Sequence, residues 1–291
     1  MAYWAQGAAM AELPSCARSE ISPALPMEMA ARIAGVSLIV LGAVTLLGYT
    51  FQRSLIYYPS NEPFEALKPL AERQGLLPWF DANQNFIGWR SDQGGGVPVL
   101  ILHGNAGYAL HRSDVVSRLR GAEVACPIYI LEYPGYGART GTPTEYNLVV
   151  SALEAIDLLG QEAVLLGESL GSGVACAVAS QRANSVRGLV LIAPFDSLLA
   201  VAKKHYPLVP VGVILKDRYH SSRALQGFAG PLAVIMAEED DVIPADSTLR
   251  LFESYSGPKK LWRIPQAGHN EILRDISDSE LRSAYEFARG G

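Results

Sequence analysis

From residue 97 onward the chain repeats one pattern: a short, continuous apolar run, then an amphipathic stretch of helical period. The apolar runs are VPVLILHG (97–104), PIYILEY (127–133), EAVLLGES (162–169), VRGLVLIAPF (186–195), PLAVIMAEED (231–240) and KKLWRIP (259–265). The helical patterns fall near 109–120, 144–159, 171–182, 245–255 and 271–288. A strand without polar alternation must be covered on both faces, and repeated strand–helix–strand units place helices there. The expected fold is α/β, a mostly parallel central sheet with helices on both faces. NFIGWRSD (85–92) reads as an earlier strand, antiparallel at the sheet edge. Residues 197–224 carry Pro207, Pro210 and aromatic side chains and break the rhythm; they read as a small cap or lid insertion.

Ahead of this pattern lies IAGVSLIVLGAVTLLGYTF (33–51), an uncharged run flanked by Arg32 and Arg53. A helix of that length spans about 30 Å of hydrocarbon. Tyr49, Phe51, Tyr57 and Tyr58 suit an aromatic belt at a membrane interface. A buried core helix this uniformly apolar is uncommon. No A-x-A cleavage site follows the run, which argues against a signal peptide. The organisation read from the sequence is therefore a non-periodic extension over 1–30, a single-pass transmembrane helix over 31–52 and an α/β domain over 53–291. Met27 and Met29 stand just before the apolar run, so one of them is a candidate alternative start. Arg18 and Arg32 on one side balance Arg53 and Lys68 on the other, which leaves the orientation open.

The formal net charge is −5 and no run of Lys and Arg occurs, so no nucleic-acid partner is expected. Cys16, Cys126 and Cys176 form neither a disulfide framework nor a C-x-x-C metal pair. There is no G-x-G-x-x-G fingerprint and no P-loop lysine, and the chemistry read below calls for no cofactor and no metal.

Gly167-Glu168-Ser169-Leu170-Gly171 matches G-x-S-x-G between the strand AVLLG and a helix opening near Gly171. In that setting the serine sits on a tight strand-to-helix turn with its hydroxyl exposed, and the flanking glycines permit close backbone approach. Ser172 and Gly173 read as close helix–strand packing. His103-Gly104-Asn105-Ala106-Gly107 ends an earlier strand. Its Asn105 N–H, with the N–H of Leu170 after the serine, would form an oxyanion hole. His103 reads as a loop-orienting residue, since its loop is the wrong one for a base. Chain order serine, acid, histidine selects His269, in the loop after the last strand, over His205 and His220 in the cap. Among Glu238, Glu239, Asp240 and Asp241, Asp240 falls in the loop after its strand and is the candidate acid; Asp196 is the fallback.

Taken together, FQRSLIYYP (51–59), HGNAG (103–107), EYPGYGARTGTPTE (132–145), GESLGSG (167–173), IAPFDS (192–197), AEEDDVIP (237–244) and AGHNE (267–271) resemble the Bem46-like α/β-hydrolases, a group related to the serine aminopeptidases. The resemblance covers roughly residues 50–288. It implies an α/β-hydrolase fold and a Ser169–His269–Asp240 triad. The group's acid motif, G-x-x-D-x-x-V-P, points to Asp240, with Ala237 and Ile243 replacing its Gly and Val. The expected function is a membrane-anchored serine hydrolase that cleaves carboxylic esters or thioesters through an acyl-enzyme. Its expected partners are a small or lipid-like acyl substrate and, through the N-terminal helix, the membrane. Two alternatives stand beside it: an aminopeptidase on the same fold, and a non-catalytic, membrane-tethered interaction protein on a hydrolase scaffold.

Overall fold

The computed structural model describes residues 26–290 apart from 92–93, 122–123 and 125. Most of the expected N-terminal extension, with Cys16, lies outside the described residues. Two compact units divide the chain, one ending at Ala43 and one running from Val44.

Helix α1 (Met27–Ile56) begins after Pro26, whose carbonyl accepts from the N–H groups of Met29 and Ala30. Proline suits a helix start because it has no N–H to lose. The helix is longer at both ends than the 31–52 expected from the uncharged run alone. Its C-terminal turn runs on because Gln52 and Arg53, polar residues past the apolar run, find hydrogen-bond partners elsewhere in the fold. Among the described residues it is the one helix long and apolar enough to cross a membrane. The remaining helices are α2 (Phe64–Arg73), α3 (Ser113–Gly121), α4 (Glu145–Leu159), α5 (Leu170–Gln181), α6 (Leu198–His205), α7 (Val211–Ile214), α8 (Ser221–Ala224), α9 (Ala245–Ser254), α10 (Ile272–Asp275) and α11 (Asp278–Ala288).

The main sheet comprises β1 (Leu77–Phe80), β2 (Phe86–Ser91), β3 (Val99–Leu102), β4 (Ile128–Leu131), β5 (Ala163–Glu168), β6 (Val186–Ile192), β7 (Leu232–Ala237) and β8 (Lys259–Ile264). Their spatial order is β8-β7-β6-β5-β3-β4-β2-β1. All neighbours pair parallel except β2, which is antiparallel to both β1 and β4. The strand expected at the edge is thus one position inside it. The true edge, β1, is the four-residue LPWF, which turns only Trp79 inward and carries a proline, so it shows no strand pattern in the sequence.

Alternate residues of each central strand face opposite helical layers. Leu100, Leu102, Leu165 and Leu191 pack with α4 and α5 through Ala152 and Val174. Val99, Ile101, Val164 and Ile192 pack with α3 and α11 through Leu119 and Leu281. Burying such a side chain contributes about 1.5–3 kcal/mol, so this double coverage selects the all-apolar strands seen in the sequence. The segment 197–224, inserted between β6 and β7, holds the short helices α6, α7 and α8.

Candidate active site

β5 ends at Glu168 and α5 begins at Leu170, leaving Ser169 alone between them with φ 48° and ψ −116°. A non-glycine residue adopts such angles only where its surroundings hold it. Here the Ser169 N–H donates to the Ile192 carbonyl at 2.9 Å, and the Ser169 carbonyl accepts from Ser172 Oγ at 2.6 Å. Close approach fixes the flanking residues. A Cβ on Gly171 would meet the Leu102 carbonyl oxygen at 2.0 Å, and one on Gly167 would meet the Gly171 carbonyl oxygen at 2.6 Å.

Ser169 Oγ lies 2.9 Å from His269 Nε2, and His269 Nδ1 lies 2.7 Å from Asp240 Oδ2. A carboxylate only accepts, so the network assigns the proton to Nδ1 and leaves Nε2 free to accept from the serine hydroxyl. Asp240 Oδ1 accepts the N–H groups of Val242 and Ile243 at 2.9 and 2.6 Å. The side chain of Asp240 is 2% exposed, whereas Glu238, Glu239 and Asp241 face solvent. Burial and two backbone donors therefore single out one acid from the run of four. The fallback acid, Asp196, is engaged elsewhere, accepting from Ser247 Oγ at 2.6 Å and Arg250 Nε at 2.8 Å. His205 meets the Val242 carbonyl, and His220 is exposed.

Leu170 is the first residue of α5, so its N–H has no acceptor within the helix. Asn105 is held from three directions. Its carbonyl accepts from Tyr58 N–H and Tyr136 Oη, and its side-chain amide donates to the Ile56 carbonyl. Asn105, Ser169 and Leu170 line one mostly apolar cavity of about 790 Å³, which Phe195 and Ile243 also line. That volume lies within the range of small-molecule sites. Among the described residues, no group of three or more His, Cys, Asp or Glu side chains converges as a metal site would.

Two polar pairs around this site escape sequence reasoning. Arg112 clamps Glu168, the residue before Ser169, with Nη2 2.9 Å from Oε1. Their partnership is invisible in sequence because 56 positions separate them. The second pair lies under the 103–107 loop. His103 is fully buried, its Nδ1 2.8 Å from the Gly104 carbonyl, and its Nε2 lies 3.7 Å from Glu132 Oε1. The spacing is that of an ion pair, yet desolvation favours two neutral groups. Burial pushes Glu132 up to about 8 and His103 down to about 3, the latter helped by the charge of Arg112. Glu132 Oε1 also accepts the Ala109 N–H, so the carboxyl ties the end of β4 to the chain beyond the loop. The one signal available in sequence was an acid directly ending an apolar strand.

A neutral Glu132 has a consequence for stability. Above pH 6.5 an unfolded His103 is already largely neutral, so that group adds little to the pH dependence. The folded chain keeps the Glu132 proton to about pH 8, while the unfolded chain has released it. Stability therefore falls as pH rises through this window. Glu132→Gln is expected to lose about 2 kcal/mol less than the unchanged protein between pH 6.5 and 8.5, read by urea unfolding in detergent. Parallel pH profiles would show that Glu132 is ionised in the fold.

A family model described as the alpha/beta hydrolase family matches residues 99–228. The uncharacterized protein MT2364 of Mycobacterium tuberculosis is 33% identical over 250 residues, covering 82% of this chain and 87% of the relative. This chain belongs to the α/β-hydrolase family. Protein bem46 of Schizosaccharomyces pombe is 25% identical over 206 residues, covering 65% of this chain and 66% of the relative. Among solved structures, a monoacylglycerol lipase from Paleococcus ferrophilus superposes with a TM-score of 0.51 at 20% identity, over 67% of this chain and 98% of that one. At that identity the likeness concerns the fold. The resemblance to Bem46-like α/β-hydrolases and the expected α/β architecture both hold.

Proposed function

We propose that this α/β-hydrolase is a membrane-anchored serine hydrolase that cleaves carboxylic esters or thioesters. The observation that carries the reading is the unbroken relay from Ser169 Oγ through His269 to a buried Asp240, with Ser169 lining a mostly apolar cavity. In the proposed cycle Ser169 Oγ attacks the acyl carbonyl while His269 Nε2 takes its proton. The N–H groups of Asn105 and Leu170 stabilise the oxyanion. His269 then protonates the leaving group, and water, deprotonated in turn by His269, releases the acid from the acyl-enzyme. The segment 197–224 serves as the cap over the acyl site, and α1 serves as a single-pass anchor.

The mostly apolar lining, in which Asp241 is the one acidic residue, supports an acyl group in preference to the charged amino terminus that an aminopeptidase must hold. A non-catalytic scaffold would have no need of three groups in hydrogen-bond order. Labelling by a fluorophosphonate probe tests the reading. One equivalent is expected on the unchanged protein and none on Ser169→Ala; labelling that persists in the variant would reject Ser169 as the nucleophile.

A further inference from the structure

The end of α1 does more than lead into the domain. Val44, Leu47, Phe51 and Leu55 of α1 line the same cavity as Ser169. Their spacing of three and four residues puts them on one helical face. Opposite them, Leu198 and Val201 of α6 and Val211 and Ile214 of α7 close the cavity. Three of these wall positions, Val44, Leu47 and Phe51, belong to the uncharged, membrane-length run 33–51.

A polar network, buried at Gln52, Tyr57 and Asp217, fixes this wall in place. Gln52, the one buried residue of α1, donates through Nε2 to the Ile214 carbonyl at 2.8 Å and accepts the Lys216 N–H through Oε1 at 2.6 Å. Arg53 Nε and Tyr57 Oη each reach Asp217 Oδ2 at 3.1 Å. The motif F-Q-R-S-L-I-Y thus fastens the chain after α7 to the membrane helix. Each of these polar side chains has its partner in the segment 214–217, so the helix end is a built part of the cap.

The wall is also apolar and largely exposed. Leu47 and Phe51 are each 57% exposed and Leu55 is 65% exposed. Around the cap rim, Tyr206, Leu208 and Val213 are exposed too, Leu208 by 90%. Single exposed apolar residues are ordinary, but this many beside one cavity mark a surface that meets another apolar phase. Its continuity with the membrane-length run identifies that phase as lipid.

We propose that the cavity wall formed by Val44, Leu47, Phe51 and Leu55 lies at the bilayer, so that the enzyme draws long-chain acyl esters or thioesters directly from the membrane. This rests on the serine-hydrolase reading above and adds the substrate class and route of entry. Leu47 and Phe51 become specificity-determining residues. The acyl chain packs against them while its carbonyl reaches Ser169.

The test uses the full-length protein in phosphatidylcholine vesicles with p-nitrophenyl butyrate and dodecanoate, and Ser169→Ala as the blank. A methylene leaving water is worth roughly fourfold, so dodecanoate concentrates in the bilayer beside the wall far more than butyrate does, and its expected kcat/KM, on bulk concentration, exceeds that for butyrate by more than tenfold. Leu47→Trp, which fills the cavity, and Phe51→Ala, which removes its wall, each lower that ratio at least tenfold. Leu46→Ala, at a position outside the cavity, keeps the ratio within twofold. At constant bulk dodecanoate, diluting it with added lipid lowers the rate in proportion to its mole fraction in the bilayer. Fluorophosphonate labelling checks that each variant is folded; if neither wall variant is, the wild-type ratio and the dilution series decide alone. A ratio near one, wall variants with the wild-type ratio, or a rate that ignores lipid dilution would overturn the proposal while Ser169-dependent turnover stands. Absence of Ser169-dependent turnover of either ester would instead overturn the hydrolase reading, and this inference with it.

Discussion

Ser169→Ala is expected to lower ester turnover by about a million-fold, because removing the nucleophile from a relay that acts as a unit forfeits nearly all the covalent pathway. The residue should be replaceable without unfolding the chain. In its bonds to Ile192 and Ser172 it contributes only its own N–H and C=O groups, which Ala retains. Ser169→Gly sharpens the point. At φ 48° a glycine meets no Cβ penalty, so this variant should be equally inactive yet more stable than the unchanged protein by about 1 kcal/mol. Stability of both variants can be read by thermal unfolding in detergent alongside turnover. Strain held at the turn would then be measured directly as the cost of presenting the hydroxyl. A glycine variant less stable than the serine form would show that the turn is not strained.

Asp240→Asn is expected to cost about 10⁴-fold in kcat with little change in structure. The reason is a forced tautomer. The N–H groups of Val242 and Ile243 both point at the Oδ1 position, so the amide oxygen of Asn must sit there. Its NH₂ then faces His269 Nδ1, which has to become the acceptor. The imidazole proton moves to Nε2, the nitrogen that must take the proton of Ser169 Oγ. Turnover within tenfold of the unchanged protein would mean that another group orients His269. Asp196 is not that group, since both its carboxylate oxygens are occupied by Ser247 and Arg250.

The candidate site was legible to different depths at different residues. Ser169 stood out because the strand-to-helix turn needs small neighbours, and Gly167 and Gly171 record that need as residue types. His269 stood out by order along the chain. Asp240 was one of four acids. Spacing alone could not rank them, because burial and the two donors from Val242 and Ile243 exist only once the turn after β7 has closed. Arg112–Glu168 and His103–Glu132 were out of reach for the same reason: the partners come from separate elements, and nothing in either segment names the other. The short β1 was missed because a four-residue edge strand buries one side chain and leaves no periodicity to read.

What the sequence by itself determined is the layering. All-apolar strands alternating with amphipathic helices admit a parallel sheet covered on both faces and little else, since each uncovered strand would leave a full face of Leu, Val and Ile in water. It also determined a membrane-length helix, by the plain absence of charge over 33–51. What only the tertiary structure decided is what that helix touches. An uncharged run looks the same from every side in sequence. Gln52 and Tyr57 choose which side meets the segment 214–217, because a buried polar group must find its partner and theirs lie at Ile214, Lys216 and Asp217, with the half-exposed Arg53 adding an ion pair to Asp217. That pairing makes the end of a membrane-length apolar helix part of the wall of the cavity that Ser169 lines.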